Sequence, residues 1–459
     1  MPKRFSVALV LKAMALLAAV LAVSSCAHKP TVVSQSEANY FGTSKVHRYQ
    51  LANGLKILIL EDHSAPTFAY QTWYNVGSRD ENPGRTGLSH FFEHMMFKDT
   101  ANHKEGELHR ILETAGVEGE NAFTSQDYTA YVQSLPSDKF DLVAGLESDR
   151  MTNLLVKEES VNKEREVVQN ERRFRTENNP NGLLYEKLYE LAFAKHSYHW
   201  PVIGYDVDLR NASRQDFENF YKHFYAPNDA TVVVVGDVDP AKVIATLSKY
   251  YGSLPASKIN RPTAPREPIQ VAERVETLQI NSPVEKLVVG YHIPDANSAD
   301  FPAIEAAREI LAGGKGSRLY RRLVDGGIAT SVDLESSEQK DPGLLMFFIS
   351  LQKGRNAKQA LALIDHEIKD MSAGNIKPEE IQKALSMHRF AVFDELASNY
   401  SKAQFLGFYE TVAGNFERGV QIVNSLASVD KGAIAKVIKA HFRKENRTVV
   451  IGTPNKESQ

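Results

Sequence analysis

The sequence predicts an α+β protein made of two related halves, each a mixed or antiparallel sheet with packed helices. Three observations carry this prediction. Short runs rich in β-branched and aromatic residues alternate with longer runs of helical period. A stretch with four prolines and little apolar periodicity, residues 253–268, interrupts the alternation. After it the same plan begins again. At 459 residues, 42% of them hydrophobic, the chain is long enough for two or more domains.

From about Val46, LKILILED and FAYQTWYNVG read as strands, ended by turn residues. TGLSHFFEHMMF and EGELHRILETAG read as helices, and DYTAYVQSL as a strand again. KFDLVAGLESDRMTNLL and EESVNKEREVVQNERRFRTE have helical period, a further helix ends near FYKHFYAPND, and ATVVVVGDVDP is a buried strand with a turn after it. Beyond the proline-rich stretch, VEKLVVGYHIPD is a strand, FPAIEAAREILAGG a helix and GLLMFFISLQ a strand. AKQALALIDHEIKDM and PEEIQKALSMHRFAVFDEL are helices, and the strand RTVVIGTP closes the pattern. The halves are therefore bounded at 46–252 and 271–459, joined by a linker at 253–270.

The first residues read as an export signal. Pro2, Lys3, Arg4 and Lys12 make a basic start, and AMALLAAVLAV (residues 13–23) is a short apolar run. Eleven residues are too few to span a bilayer as a helix, which needs about 20, so residues 1–25 are expected to be a signal peptide. The run ends in VSSC, which looks like a bacterial lipoprotein cleavage site with Cys26 as the lipidated first residue. Residues 26–45 then form a tether. Ala27 follows the cysteine where aspartate would mark retention, and the resemblance to Gram-negative lipoproteins implies the periplasmic side of the outer membrane. The alternative is ordinary cleavage near Ala27, a chance cysteine and a soluble periplasmic protein. Cys26 is the single cysteine, so an intramolecular disulfide and a cysteine-rich zinc site are excluded. The formal charge is −3, and −6 without the signal (51 basic against 57 acidic), which is no footprint for nucleic acid.

The chemistry lies in GLSHFFEHMMF, residues 87–97. On a helix His90 and His94 are four apart and share a face, so two neutral imidazoles reach one metal ion together. Glu93, beside His94, sits at the rim of that face, where it can act on a water. Zinc held by two histidines commonly takes a carboxylate as third ligand and leaves a fourth position open. The helix EESVNKEREVVQNERRF offers Glu164 and Glu171, seven apart and on one face. One binds metal and the other orients a histidine or a water; spacing alone leaves open which does which. Glu158, Glu159 and Arg165 read as a solvated face. His47, His103, His109, His223, His292, His366, His388 and His441 read as surface or locally bonded residues. The second half has no counterpart of the motif: its matching helix carries Ile304, Glu305, Arg308 and Glu309.

H-x-x-E-H is the inverted zinc-protease motif, and with it the chain resembles the pitrilysin and insulinase family, which includes the mitochondrial processing peptidases. The resemblance spans roughly residues 46–454. GLSHFFEHMMFKDT is similar to the family's zinc helix, with Asp99 where glycine is usual. NERR places Glu171 at the spacing of the third zinc ligand, and Glu164 on the second acidic position that supports the site. ENAFTSQDYTAY resembles the strand beside the zinc, where Asn121 and Ala122 match residues that hold an extended substrate. HSYHWPVIG (196–204) and FYAPNDATVVVVGD (224–237) match structural landmarks. The resemblance implies a clamshell around a peptide chamber, one Zn2+ per chain, and peptides adding as a strand to the edge at NAFT through main-chain hydrogen bonds. Only short or unfolded chains would enter. Glu93 would take the proton of the attacking water and pass it to the leaving amine.

One departure matters. Active members carry an arginine and a tyrosine in the second half that hold the substrate carbonyl. In GGKGSRLYRRLVDGGIATSV those positions hold Val324 and Thr330, and Arg322 and Tyr320, on a helix, would point elsewhere. The expectation is a zinc metalloendopeptidase that forms the zinc-bearing subunit of a heterodimer, with a homologous partner supplying the arginine and tyrosine. A self-sufficient homodimer and a non-catalytic, peptide-binding chaperone subunit are the alternatives.

Overall fold

The computed structural model describes residues 32–455; the expected signal segment, Cys26 and the start of the expected tether lie outside them. Seven strands, β1 (Val32–Asn39), β2 (Lys45–Leu51), β3 (Lys56–Glu61), β4 (Thr67–Tyr74), β5 (Glu118–Thr124), β6 (Thr129–Pro136) and β7 (Ala230–Gly236), form one sheet in the order β1-β2-β3-β7-β4-β6-β5. Five more, β8 (Arg274–Ile280), β9 (Lys286–Ile293), β10 (Ala329–Ser336), β11 (Gly343–Leu351) and β12 (Arg447–Pro454), form a second in the order β10-β11-β9-β12-β8. Each sheet has one parallel pair, β3–β7 and β12–β8, and is otherwise antiparallel. The run β3-β7-β4-β6-β5 therefore repeats, strand for strand, as β8-β12-β9-β11-β10. The two halves are the same fold, and the first adds β1 and β2. The tether expectation needs correction here: Val32–Asn39 is strand β1, paired antiparallel with β2.

The first half carries helices α1 (Leu88–Met95), α2 (Glu107–Thr114), α3 (Phe140–Asn153), α4 (Glu158–Arg172), α5 (Pro180–Ala192), α6 (Asp206–Asn211), α7 (Arg214–Phe224) and α8 (Pro240–Tyr251). The second carries α9 (Phe301–Ala312), α10 (Ala357–Ser372), α11 (Pro378–Glu395), α12 (Asn399–Val412), α13 (Glu417–Ser425) and α14 (Lys431–His441). Several starts are written in the sequence. Asn179 and Asp239 cap α5 and α8 ahead of a proline, and Ser213 with Asp216 forms a capping box on α7.

The halves exchange helices across the linker. One face of the first sheet packs on Phe91 and Phe92 of α1, Val143 of α3, Val161 and Val168 of α4, and Phe217 of α7. Its other face, with Trp73, Val233 and Val235, is covered by Ala403, Leu406 and Tyr409 of α12, which comes from the second half. In return Leu184 and Leu188 of α5 cover Val288, Leu344, Met346 and Val450 of the second sheet. Close approach needs glycine at both crossings. A Cβ on Gly407 of α12 would lie 2.1 Å from Trp73 Nε1, and one on Gly290 of β9 would lie 3.1 Å from Leu188 Cδ2. Residues 255–271 carry no helix or strand, yet are fastened: Glu267 accepts from the backbone N–H groups of Ala194, Lys195 and His196. The β10–β11 turn also reaches the first half, where Lys340 Nζ donates to Asp127 O at 2.7 Å. Tyr198, in the first landmark segment, donates to the Asp127 carboxylate at 2.8 Å. No helix among the described residues is long and apolar enough to cross a membrane.

Candidate metal and peptide site

The site starts from the way α1 is held. Gly87, in the left-handed region at φ 86°, turns the chain into the helix, and a Cβ there would lie 2.5 Å from Ile203 O. Glu81, buried, accepts from the N–H groups of Gly87 at 2.8 Å and Ser89 at 2.7 Å. It thus serves the free donors of the helix start, and burial pushes its carboxyl up to about 8. Gly204 meets Gly87 face to face, while Arg172 of α4 donates to Gly204 O at 2.9 Å. The landmark segment 196–204 is therefore scaffolding that clamps α1 to α4.

On this frame His90, His94 and Glu171 bring one ligand atom each to within 4.8 Å of one another, the only such group among the described residues. His94 Nε2 lies 3.3 Å and His90 Nε2 3.7 Å from Glu171 Oε2. Ligands about 2.0–2.2 Å from a tetrahedral zinc stand about 3.3–3.6 Å apart, so the His94 separation falls within this range and the His90 separation just above it, and the donor set itself suits the ion. The surroundings also favour a positive charge. Burial lowers His94, but Glu164 and Glu171 outweigh it and hold the imidazole up to about 9. His90, buried and beside His94, is pushed down to about 4.

Glu164 Oε1 lies 2.8 Å from His94 Nδ1, so it orients the ring and leaves Nε2 facing Glu171. Lys98 holds its other oxygen at 2.5 Å. Of the two glutamates that spacing left open, it is Glu171 that stands beside both histidine Nε2 atoms, while Glu164 faces the far nitrogen of His94. Glu171 offers Oε2 to the histidines and Oε1 to Arg175 at 2.9 Å. His90 Nδ1 is buried with no hydrogen-bond partner among the described residues, so it has no counterpart of Glu164.

Glu93 accepts from Thr124 Oγ1 at 2.5 Å, which ties the motif to the end of β5, and burial pushes its carboxyl up. β5 is the edge of its sheet, paired only with β6: Asn121 stands opposite Val132, and Ala122 opposite Tyr131. Its outer edge is a template for another strand. A cavity of about 470 Å³ opens beside it, lined by Glu93, His94, Phe97, Asn121 and Ala122.

Thr124, Lys98, Arg175 and Glu81 were not singled out by the sequence reading. Lys98 and Arg175 stand four residues after His94 and Glu171, so helical spacing could have found them; Glu81 left no signal. Arg165 is corrected from a solvated residue: it donates to Leu209 O and Ala212 O and fastens α4 to the end of α6. Asp99, where glycine is usual, is tied to Lys157 and to Glu105 N, joining the loop after α1 to the start of α4. In the second half, Val324 packs half-buried on the core and Thr330 is exposed on β10. Arg322 is held by Glu367 at 2.9 Å.

A repeated α+β fold with an inverted His-Glu-His helix and a distant glutamate defines the architecture of zinc peptidases of the inverted-motif class. Residues 56–205 match Insulinase (Peptidase family M16), and residues 211–387 match the Peptidase M16 inactive domain. The chain belongs to the pitrilysin and insulinase family, M16. It is 28% identical over 411 residues to the zinc protease PqqE of Helicobacter pylori, covering 88% of this chain and 92% of that one. A crystal structure of a protease from Helicobacter pylori superposes with a TM-score of 0.86 at 28% identity, covering 90% of this chain and all of that one. The first half of the periplasmic protease PqqL of Escherichia coli shares the fold, with a TM-score of 0.73 at 20% identity and 94% of each chain covered.

Proposed function

We propose that this protein is a zinc-dependent endopeptidase of the cell envelope that cuts short or unfolded peptides, and that it is the zinc-bearing subunit of a heterodimer. The observation that carries the reading is the convergence of His90, His94 and Glu171 beside an open strand edge, with Glu93 tied to that edge through Thr124. His90, His94 and Glu171 would hold the zinc, and Glu164 would orient His94. A zinc ion supplies Lewis acidity, polarising a carbonyl and acidifying water. Glu93 takes a proton from the attacking water at its carboxylate and delivers it to the leaving nitrogen. Asn121 and Ala122 align the peptide as an added strand, with main-chain bonds that are indifferent to sequence.

Val324 carries no donor for the substrate carbonyl and the Thr330 hydroxyl donates to Ser350 O at 3.1 Å, which supports a partner that supplies an arginine and a tyrosine. Export and lipidation at Cys26 fit the basic, apolar start of the sequence and set the location on the periplasmic face of the outer membrane. The test is metal dependence of hydrolysis by the chain isolated with its associated proteins, using an unstructured peptide such as an insulin chain. Chelation should abolish turnover and one zinc per chain should restore it. Undiminished turnover by metal-free protein would overturn the proposal.

A further inference from the structure

A second cavity, of about 360 Å³, lies between the halves, and its size is that of a small-ligand site. Its walls are aromatic, with Trp73 and Phe123 from the first half and Phe405 and Phe408 from α12. Phe123 follows Ala122 on β5. Successive residues of a strand face opposite ways, so the edge that passes the metal site also borders this cavity. At the far side stand two carboxylates, Glu305 on α9 and Glu338 just after β10.

α9 follows β9 as α1 follows β4, so this is the second half's counterpart of the metal site. Where α1 presents histidines, α9 presents Arg308, held by Glu305 Oε2 at 2.9 Å and by Glu309 Oε1 at 2.8 Å. Glu305, which lines the cavity, is 6% exposed; its Oε2 also stands 3.7 Å from His388 Nδ1, and its Oε1 is buried with no hydrogen-bond partner among the described residues. A buried carboxylate oxygen left unpaired is costly. Glu338 receives Tyr409 Oη at 2.9 Å, and Glu395 adds a third carboxylate to the lining, against the single guanidinium of Arg308 and the imidazole of His388. Burial first, and then the nearby Glu305, push Glu338 up to about 7 against the pull of Tyr409, Arg308 and Arg418.

We propose that this cavity is a cation subsite for the peptides cut at the metal site, taking a guanidinium or primary ammonium group between Glu305 and Glu338 with the aromatic rings around it. Charge-assisted bonds and cation–π contact are the interactions such a group makes. The inference rests on the peptidase reading and narrows its substrates to basic peptides. Either a lysine or arginine side chain or a free amino terminus would supply the cation.

The test measures binding to the zinc-loaded mature chain carrying Glu93→Gln, with Trp73 as a fluorescent reporter. The probes are acetylated, amidated alanine–serine heptapeptides with one arginine walked along the chain, their citrulline twins, and a non-acetylated peptide without a basic residue. At one or more positions arginine should bind about tenfold more tightly than citrulline, or the free amino terminus than its acetylated form. That preference should vanish in both Glu305→Gln and Glu338→Gln. The second variant matters because Glu305 also holds Arg308, whereas the hydrogen-bond partner of Glu338 is Tyr409; thermal unfolding checks both. Equal binding of charged and neutral probes, or a preference that survives both substitutions, would overturn the proposal. Hydrolysis of the citrulline peptide by the wild-type chain isolated with its associated proteins reads the peptidase activity separately. Charge preference without hydrolysis keeps the cavity and removes the peptidase, and hydrolysis without preference does the reverse.

Discussion

Glu164 reaches the candidate metal centre only through the His94 ring, so its substitution separates orientation from ligation. Glu164→Gln should lower zinc affinity about 10–100-fold, while Glu171→Ala, which removes a donor outright, should lower it further; competition with a chromogenic chelator measures both. Glu81 makes a different prediction. Its folded-state pKa of about 8 lies above that of an unfolded glutamate, so burying it becomes unfavourable as the pH rises from about 4.5 towards 8. Stability contributed by this group is therefore present at low pH and lost on the way up. In thermal unfolding, Glu81→Gln should gain on the wild type between pH 5 and pH 8, and a gap that narrows over that range would contradict the assignment. At this scale the sequence was eloquent about His90, Glu93 and His94, because helical spacing brings them together. It was silent about Thr124 and Glu81, whose roles depend on a strand end and a loop that only the fold delivers to α1.

Element by element, the strands legible in the sequence are interior ones: β3, β4, β6, β7, β9, β11 and β12 are rich in buried aliphatic and aromatic residues. The four edges, β1, β5, β8 and β10, read as VVSQSEAN, EGENAFT, RVETLQI and ATSVDLES, and propensity marked none of them. β5 was recognised through the family resemblance alone. Edge strands carry polar side chains on their half-exposed faces, which removes the apolar signal from the very strand where a substrate would add. The exchanged helices were equally illegible, since helical period says that a face is buried and not which sheet buries it. Gly407 tests the exchange. Gly407→Ala would set a methyl group against Trp73 and lever α12 off the first sheet. A loss of about 1–3 kcal/mol in urea unfolding is expected, with a change in tryptophan emission; unchanged stability would mean that the contact is not tight.

For the whole molecule, the repeat is complete in topology and broken in chemistry. The first half brings a histidine pair to the helix after its second core strand, and the second brings Glu305, Arg308 and Glu309. The proposed division of labour predicts that the purified chain from Ala27 onward binds zinc but turns peptides over weakly, and that a homologous subunit retaining the arginine and tyrosine raises turnover at least about a hundredfold, the scale of losing an oxyanion donor. Full turnover by the chain alone would remove the need for a partner and leave the metal centre intact. The peptidase claim itself is tested most directly by one substitution. Peptide hydrolysis should be compared at equal zinc content between wild type and Glu93→Gln, each isolated with its associated proteins. Unchanged zinc and a fall in turnover of about 10²–10⁴-fold are expected; near-wild-type turnover by Glu93→Gln would contradict the assignment.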